Sequence, residues 1–160
     1  MTNSPSRPTP DRSKYILLTP NGAKALSAVA IGSMYAWFVL KLFLTDEQPA
    51  LQLAVGALGL IGMIGTIVMF LCTYSFVANS PDDYLDEREI QDRNAAHMRA
   101  YAYAVTMLLV GYIVSDVVGK VQLGFTITSG VVTNYLNLAL FTSLVMPATV
   151  LAWRDREVGE

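Results

Sequence analysis

The chain has 160 residues, 53% of them hydrophobic and only 15% charged, with a formal net charge of −2 and a mean hydropathy of +0.42. Soluble domains carry about 25% charged residues, so the composition excludes an ordinary water-soluble domain, and its slightly acidic balance gives no footing for a nucleic-acid partner. A single cysteine, Cys72, and a single histidine, His97, exclude an intrachain disulfide, a Cys-rich metal site and, within one chain, bis-His haem or His-based zinc ligation.

Residues 1–19 begin MTNSPSRPTPDRSK, a Pro/Ser-rich stretch too long and too weakly basic for a secretory n-region. It is expected to be a disordered cytoplasmic tail, with Tyr15–Leu18 resting at the membrane interface. Thr19 as N-cap and Pro20 as first helical residue then start a single membrane domain over residues 20–160. Its first span is expected at about residues 25–44.

Charge-free runs of 34 residues (Glu47 to Asp82) and 33 residues (Lys120 to Arg154) mark the second and fourth spans. Roughly 18 apolar residues suffice for a crossing. The second span, residues 51–77, is expected as one helix about 40 Å long, tilted or projecting from a hydrocarbon core of roughly 30 Å. The third covers about residues 100–121. The fourth covers about residues 131–153 and carries Pro147, which removes a backbone bond to Ser143 and is expected to kink it. Between these two, the period-two alternation of KVQLGFTITSG predicts a short extended segment on the outer face.

The segment SPDDYLDEREIQDRNAAHMRAYAYA, from Ser80 to Ala104, breaks this apolar pattern. Residues 82–99 hold nine of the chain's 24 charges. Ser80 as N-cap, Pro81 at the first position and Asp82 and Asp83 over the positive dipole end read as a helix start. With no Gly or Pro up to Val110, and Glu89 and Arg93 paired at i, i+4, one continuous helix is expected from Pro81 into the third span. Its charged part would stand free as a cytoplasmic stalk. Asp86, Glu87, Arg88, Asp92 and Arg93 are the candidate docking surface for a partner or a second copy. These acids point around most of a helix with arginines between them, so no metal or acid/base site is read here. The YLDEREIQDRNAAHMRAYAYA stretch resembles the L-D-E-R-[E/Q] run, followed by small and aromatic residues, of small multi-pass bacterial membrane proteins of unassigned function. The resemblance covers some 20 residues and implies a bacterial inner-membrane protein. It implies no activity and carries over no site residue.

Inside the spans, Asp116 is the one ionisable group well away from an end. Burying such a charge costs a few kcal/mol even on the insertion scale, which makes it a functional candidate. Lys120 at i+4 is a ready partner, and Asn134 and Asn137 enter the fourth span at similar depth, so these four residues form a candidate outer-leaflet polar site. The alternative reading is hydrogen-bonded glue between helices. Small residues predict packing seams: Ala28, Gly32 and Ala36 on the first span, and Gly111, Ser115 and Gly119 on the third. Gly56, Gly59, Gly62 and Gly65 recur every three residues, so the row is expected to wind around the second helix and meet neighbours on several sides.

Nine of the eleven basic residues lie before the first span, between the second and third, or after the fourth. The positive-inside rule therefore predicts both termini in the cytoplasm. Tyr74, Phe76, Tyr101, Tyr103 and Trp153 fall at the corresponding inner boundary. The expected fold is an all-α, four-transmembrane-helix bundle with a helical extension leading into the third helix. No catalytic residue, cofactor or metal site is read. The leading functional expectation is a non-catalytic accessory, assembly or scaffold subunit of a bacterial membrane complex, partnered by lipid and by other membrane subunits or further copies. A small oligomeric transporter or channel subunit using Asp116 is the alternative. It shares only span count with small multidrug transporters, whose membrane acid lies in the first span; here that span has none. A membrane enzyme or lipid-handling protein is the third reading, without a nucleophile–base pair to support it.

Overall fold

A computed structural model of the chain describes residues 14–43, 49–120 and 127–154, with side chains at all of these except 119 and 120. The described residues are helical: α1 (Pro20–Phe43), α2 (Pro49–Phe70), the short α3 (Thr73–Asn79), α4 (Glu87–Lys120) and α5 (Ser129–Arg154). α1, α2, α4 and α5 are each long and apolar enough to cross a membrane, which fits a helical membrane bundle. The segment expected to be extended between the third and fourth spans lies largely outside the described residues.

α1 starts where the sequence predicts. The Thr19 carbonyl accepts from the Ala23 N–H at 2.8 Å, and its hydroxyl accepts from the Gly22 N–H at 3.1 Å. Pro20, which has no N–H to lose, is the first helical residue.

The second span is not one helix. It breaks at Leu71–Cys72 into α2 and α3, although no proline and no glycine lies between Gly65 and Pro81. The cause is distant in sequence. Ile16 runs parallel to Cys72: its N–H donates to the Leu71 carbonyl at 2.9 Å, and its carbonyl accepts from the Thr73 N–H at 3.1 Å. Those two groups would otherwise bond along the helix, so an outside strand has taken their partners. Tyr15–Leu18 is therefore built into the bundle, with the Tyr15 ring edge-on to Phe76 and Leu18 packed against the buried cluster of Met69, Cys72, Val145 and Ala148.

α1 and α2 share the most extensive helix contact. A Cβ added at Gly59 would lie 2.8 Å from Trp37, at Gly62 2.7 Å from Met34, and at Gly65 2.7 Å from the Cβ of Ala30. These three glycines thus face one neighbour, in an antiparallel register of 59, 62, 65 against 37, 34, 30. This corrects the expectation of contacts on several sides. Rows spaced by three form ridges inclined to the helix axis, so a crossing partner follows the row instead of losing it. Gly56, one step further, has open space around it, and so has Gly32. The expected seam of Ala28, Gly32 and Ala36 is likewise corrected. Ala28 and Gly32 are exposed, while α1 buries Ala23, Ser27, Ala30 and Met34.

α5 is central, touching α1, α2, α3 and α4 and burying Leu138, Thr142, Val145 and Ala148 among others. α4 lies to one side and packs chiefly on α5.

Candidate functional site

The charged stretch folds onto the bundle, and that overturns the free stalk. Pro81 precedes a 3-10 turn over Asp82–Tyr84, and Leu85 behind it is only 2% exposed. Burying that leucine requires the chain to turn back, so a helix cannot run through from Pro81. α4 begins six residues later, behind a reciprocal cap. The Glu89 N–H donates to Asp86 Oδ1 at 2.7 Å, and the Asp86 N–H donates to Glu89 Oε2 at 3.2 Å. This is the capping-box arrangement, with Asp in the N-cap place.

Beyond the cap, the first turns of α4 are tied to α3 and α5. Arg93 donates through Nη1 to the Ser80 carbonyl at 2.7 Å and through Nη2 to Asp82 Oδ1 at 2.5 Å. His97 Nε2 lies 2.8 Å from the Ala78 carbonyl, which accepts its proton and so sets the tautomer. Arg154, in the last turn of α5, pairs with Asp92 at 2.6 Å. Beneath these contacts Ala78, Ala96 and Leu151 form a buried cluster against Tyr74, Val77 and Val150. Alanines on facing helices permit that approach. A cleft of about 260 Å³ beside it is lined by Tyr74, Val77, Arg88, Asp92, Leu151 and Arg154. Of the candidate docking residues, Asp92 and Arg93 are engaged within the chain and Asp86 serves as the cap, leaving Glu87 and Arg88 exposed.

A second polar element links three helices deeper in the bundle. The Tyr103 hydroxyl donates to Thr142 Oγ1 at 2.7 Å, and Thr142 donates to the Leu138 carbonyl at 2.7 Å. With that proton committed, the Tyr35 hydroxyl on α1 lies 2.8 Å from that of Tyr103 and also donates to Met107 Sδ at 3.3 Å. The chain of hydroxyls ends on a backbone carbonyl, which cannot pass a proton on. It holds α1, α4 and α5 together. Tyr103 is therefore an interior link, not the boundary anchor that its position in the sequence predicts; Thr142 lies about midway along α5. Trp153 Nε1 makes a related tie, donating to Ser27 Oγ on α1 at 3.0 Å.

Three of the four candidate outer polar residues, Asp116, Asn134 and Asn137, are not gathered in one place. Asp116 is on an exposed face of α4. Asn137 is on the rim of a groove between α1, α2 and α5, beside Gly56, Gly59 and Met63. Asn134 is half-buried one turn away on α5, and the side chain of Lys120 lies outside the described ones. Tyr135, about 200° around the helix from Asn137, meets α4 instead. Its ring sits 2.6 Å from where a Cβ on Gly111 would be, and its hydroxyl donates to the Met107 carbonyl. Gly111 is thus a true packing position, Ser115 is exposed in the adjoining cleft, and Gly119 lies beyond the described side chains. That cleft, about 490 Å³, is lined by apolar residues of α1, α4 and α5 such as Phe38, Leu108, Val114 and Val131. Among the described residues no group of three or more His, Cys, Asp and Glu stands close enough to hold a metal ion.

Nothing in the sequence singles out Ile16, Tyr35 or Thr142. The D-x-x-E spacing of Asp86 and Glu89 was a readable sign of where α4 begins. The partners of Ile16 and Tyr35, 55 and 68 residues away, leave no local signature. Comparison with family models, with curated proteins and with solved structures found no match for this chain.

Proposed function

We propose that this chain is a non-catalytic subunit of a membrane assembly and that α4 is the helix it offers to a neighbouring membrane protein. The observation that carries this reading is the poor cover of α4: 6% of its apolar window is buried within the chain, against 39% for α5. In lipid, helices associate through close packing and polar contacts because lipid tails are as apolar as leucine. α4 is anchored firmly at its charged end and then presents Leu109, Ile113 and Val117 outward. Glu87 and Arg88 supply an exposed polar surface at the start of the same helix. The distribution of basic residues supports both termini on the cytoplasmic side, and a bacterial inner membrane is the proposed location.

The transporter reading uses Asp116, which lies on that same open face. It is less well supported. The asparagines expected beside it are on α5 instead, with Asn137 on the rim of the groove between α1, α2 and α5.

In-membrane photocrosslinking from Leu109 and Ile113, with buried Leu138 as control, tests the proposal. Protein adducts from the two α4 positions and none from Leu138 are expected. Lipid adducts alone, from a chain that is extracted as a monomer, would overturn it. Coupled flux in reconstituted vesicles that disappears with Asp116→Asn would put transport in its place.

A further inference from the structure

We propose that Tyr15–Leu18 is a removable strap, and that the α2–α3 break it holds open is one of two states of this protein. The argument begins with backbone partners. In the strapped state the Leu71 carbonyl accepts from Ile16 N–H, and Thr73 N–H donates to the Ile16 carbonyl. Ser75 N–H is meanwhile spent on the Cys72 carbonyl at 3.0 Å. Remove the strap, and each of these groups has a substitute within a continuous helix. Leu71 C=O would take Ser75 N–H, and Thr73 N–H would take Met69 C=O, the ordinary i to i−4 pairs. The Leu71 carbonyl and the Thr73 and Ser75 N–H groups are thus paired in both arrangements, so exchanging one for the other leaves none of the three with the cost of an unpaired backbone group in lipid. The residues at the break include no proline and no glycine, and the one side-chain bond within it, from Cys72 Sγ to the Met69 carbonyl at 2.9 Å, is the bond that Thr73 N–H would have to share or replace.

The break also matters at a distance. It sets the direction of α3, and α3 and its C-cap residue present the two carbonyls, Ala78 and Ser80, that His97 and Arg93 of α4 bind. Joining α2 to α3 would carry both carbonyls away and open the Ala78–Ala96 contact. The strap therefore couples the chain before α1 to the charged end of α4. Any partner that binds Tyr15–Leu18 as an extended strand competes with the break for the same Ile16 backbone groups, and its binding shifts the equilibrium towards the joined helix. This coupling is separate from the proposed role of α4 as an assembly surface.

Ile16→Pro is the test, because it removes the N–H that donates to Leu71 while leaving the chain length intact. In a Cys72→Ala, Ala96→Cys background, the new thiol replaces a side chain that is 0% exposed in the strapped state. We expect alkylation of that thiol, in the full chain in membranes, to quicken about tenfold or more with Ile16→Pro, as for a buried site opened by about 1.4 kcal/mol. Leu17→Ala, at a residue 81% exposed, should leave the rate unchanged. Amide hydrogen exchange separates joining from melting: in the Ile16→Pro chain Thr73 and Ser75 should stay protected. Unchanged alkylation would show that the strap does not hold α3 in place. Lost protection at Thr73 and Ser75 would show fraying in place of a second helical state. Either result overturns the proposal.

Discussion

The two ends of α4 are built from one continuous helix and held in opposite ways. At the charged end, buried Ala96 lets α3 and α5 approach, and Arg93, His97 and Asp92 close the contact with directed hydrogen bonds and an ion pair. At the far end Tyr135 packs on Gly111, an apolar cleft opens beside it, and residues 112–117 are exposed. The difference teaches where stability comes from when the solvent is lipid. Apolar area alone fixes nothing there, because exchanging lipid for leucine gains little, whereas small residues and satisfied polar groups fix a geometry. A helix can thus be anchored at one end and available at the other.

Enlarging the contact at the charged end should have the largest effect. Ala96→Leu forces three extra carbons between α4, α3 and α5 and should cost about 2–3 kcal/mol, read as an earlier melting transition in detergent. Removing the polar closure comes next. Arg93→Met keeps much of the side-chain length but leaves the Ser80 carbonyl without its donor, an expected loss of about 2 kcal/mol. Hydrogen exchange should rise across residues 80–97 and stay unchanged beyond 108; a rise along all of α4 would break the distinction between its ends. At the far end Gly111→Ala places a methyl against the Tyr135 ring, and about 1 kcal/mol is expected because the ring can yield towards the open cleft. Tyr103→Phe removes two interhelical hydrogen bonds, to Tyr35 and to Thr142, and at about 0.6 kcal/mol each should cost about 1 kcal/mol in the same melting transition. If Gly111→Ala proved costlier than Ala96→Leu, the far end would be the tighter of the two and the comparison would reverse.

Legibility differed between the fold and the candidate site in the same way. The glycine row was visible in the sequence, yet its direction was not. Both a winding row and a one-sided ridge have a spacing of three, and only the crossing of α1 selects between them. Asp116, Asn134 and Asn137 looked adjacent because helices were compared by depth alone. Rotation about each axis separates them, and rotation is set by which neighbours pack where. The stalk failed on Leu85. Charge density argued for a solvated helix, while one buried leucine and the Arg93 contacts turned the chain back.

By itself the sequence determined the four long apolar helices, the Thr19–Pro20 start of α1 and the concentration of charge before α4. These follow from local quantities: hydropathy over a window the length of a crossing, and capping groups within three residues of the amides they satisfy. The tertiary structure alone decided the break at Leu71–Cys72, the partner of the glycine row, the Tyr35–Tyr103–Thr142 link and the anchoring of one end of α4. Each of these depends on a donor, an acceptor or a ridge contributed by a segment remote in sequence. Whether Leu71 bonds along its own helix or to Ile16 is a choice between partners of nearly equal chemistry, and position in space makes it.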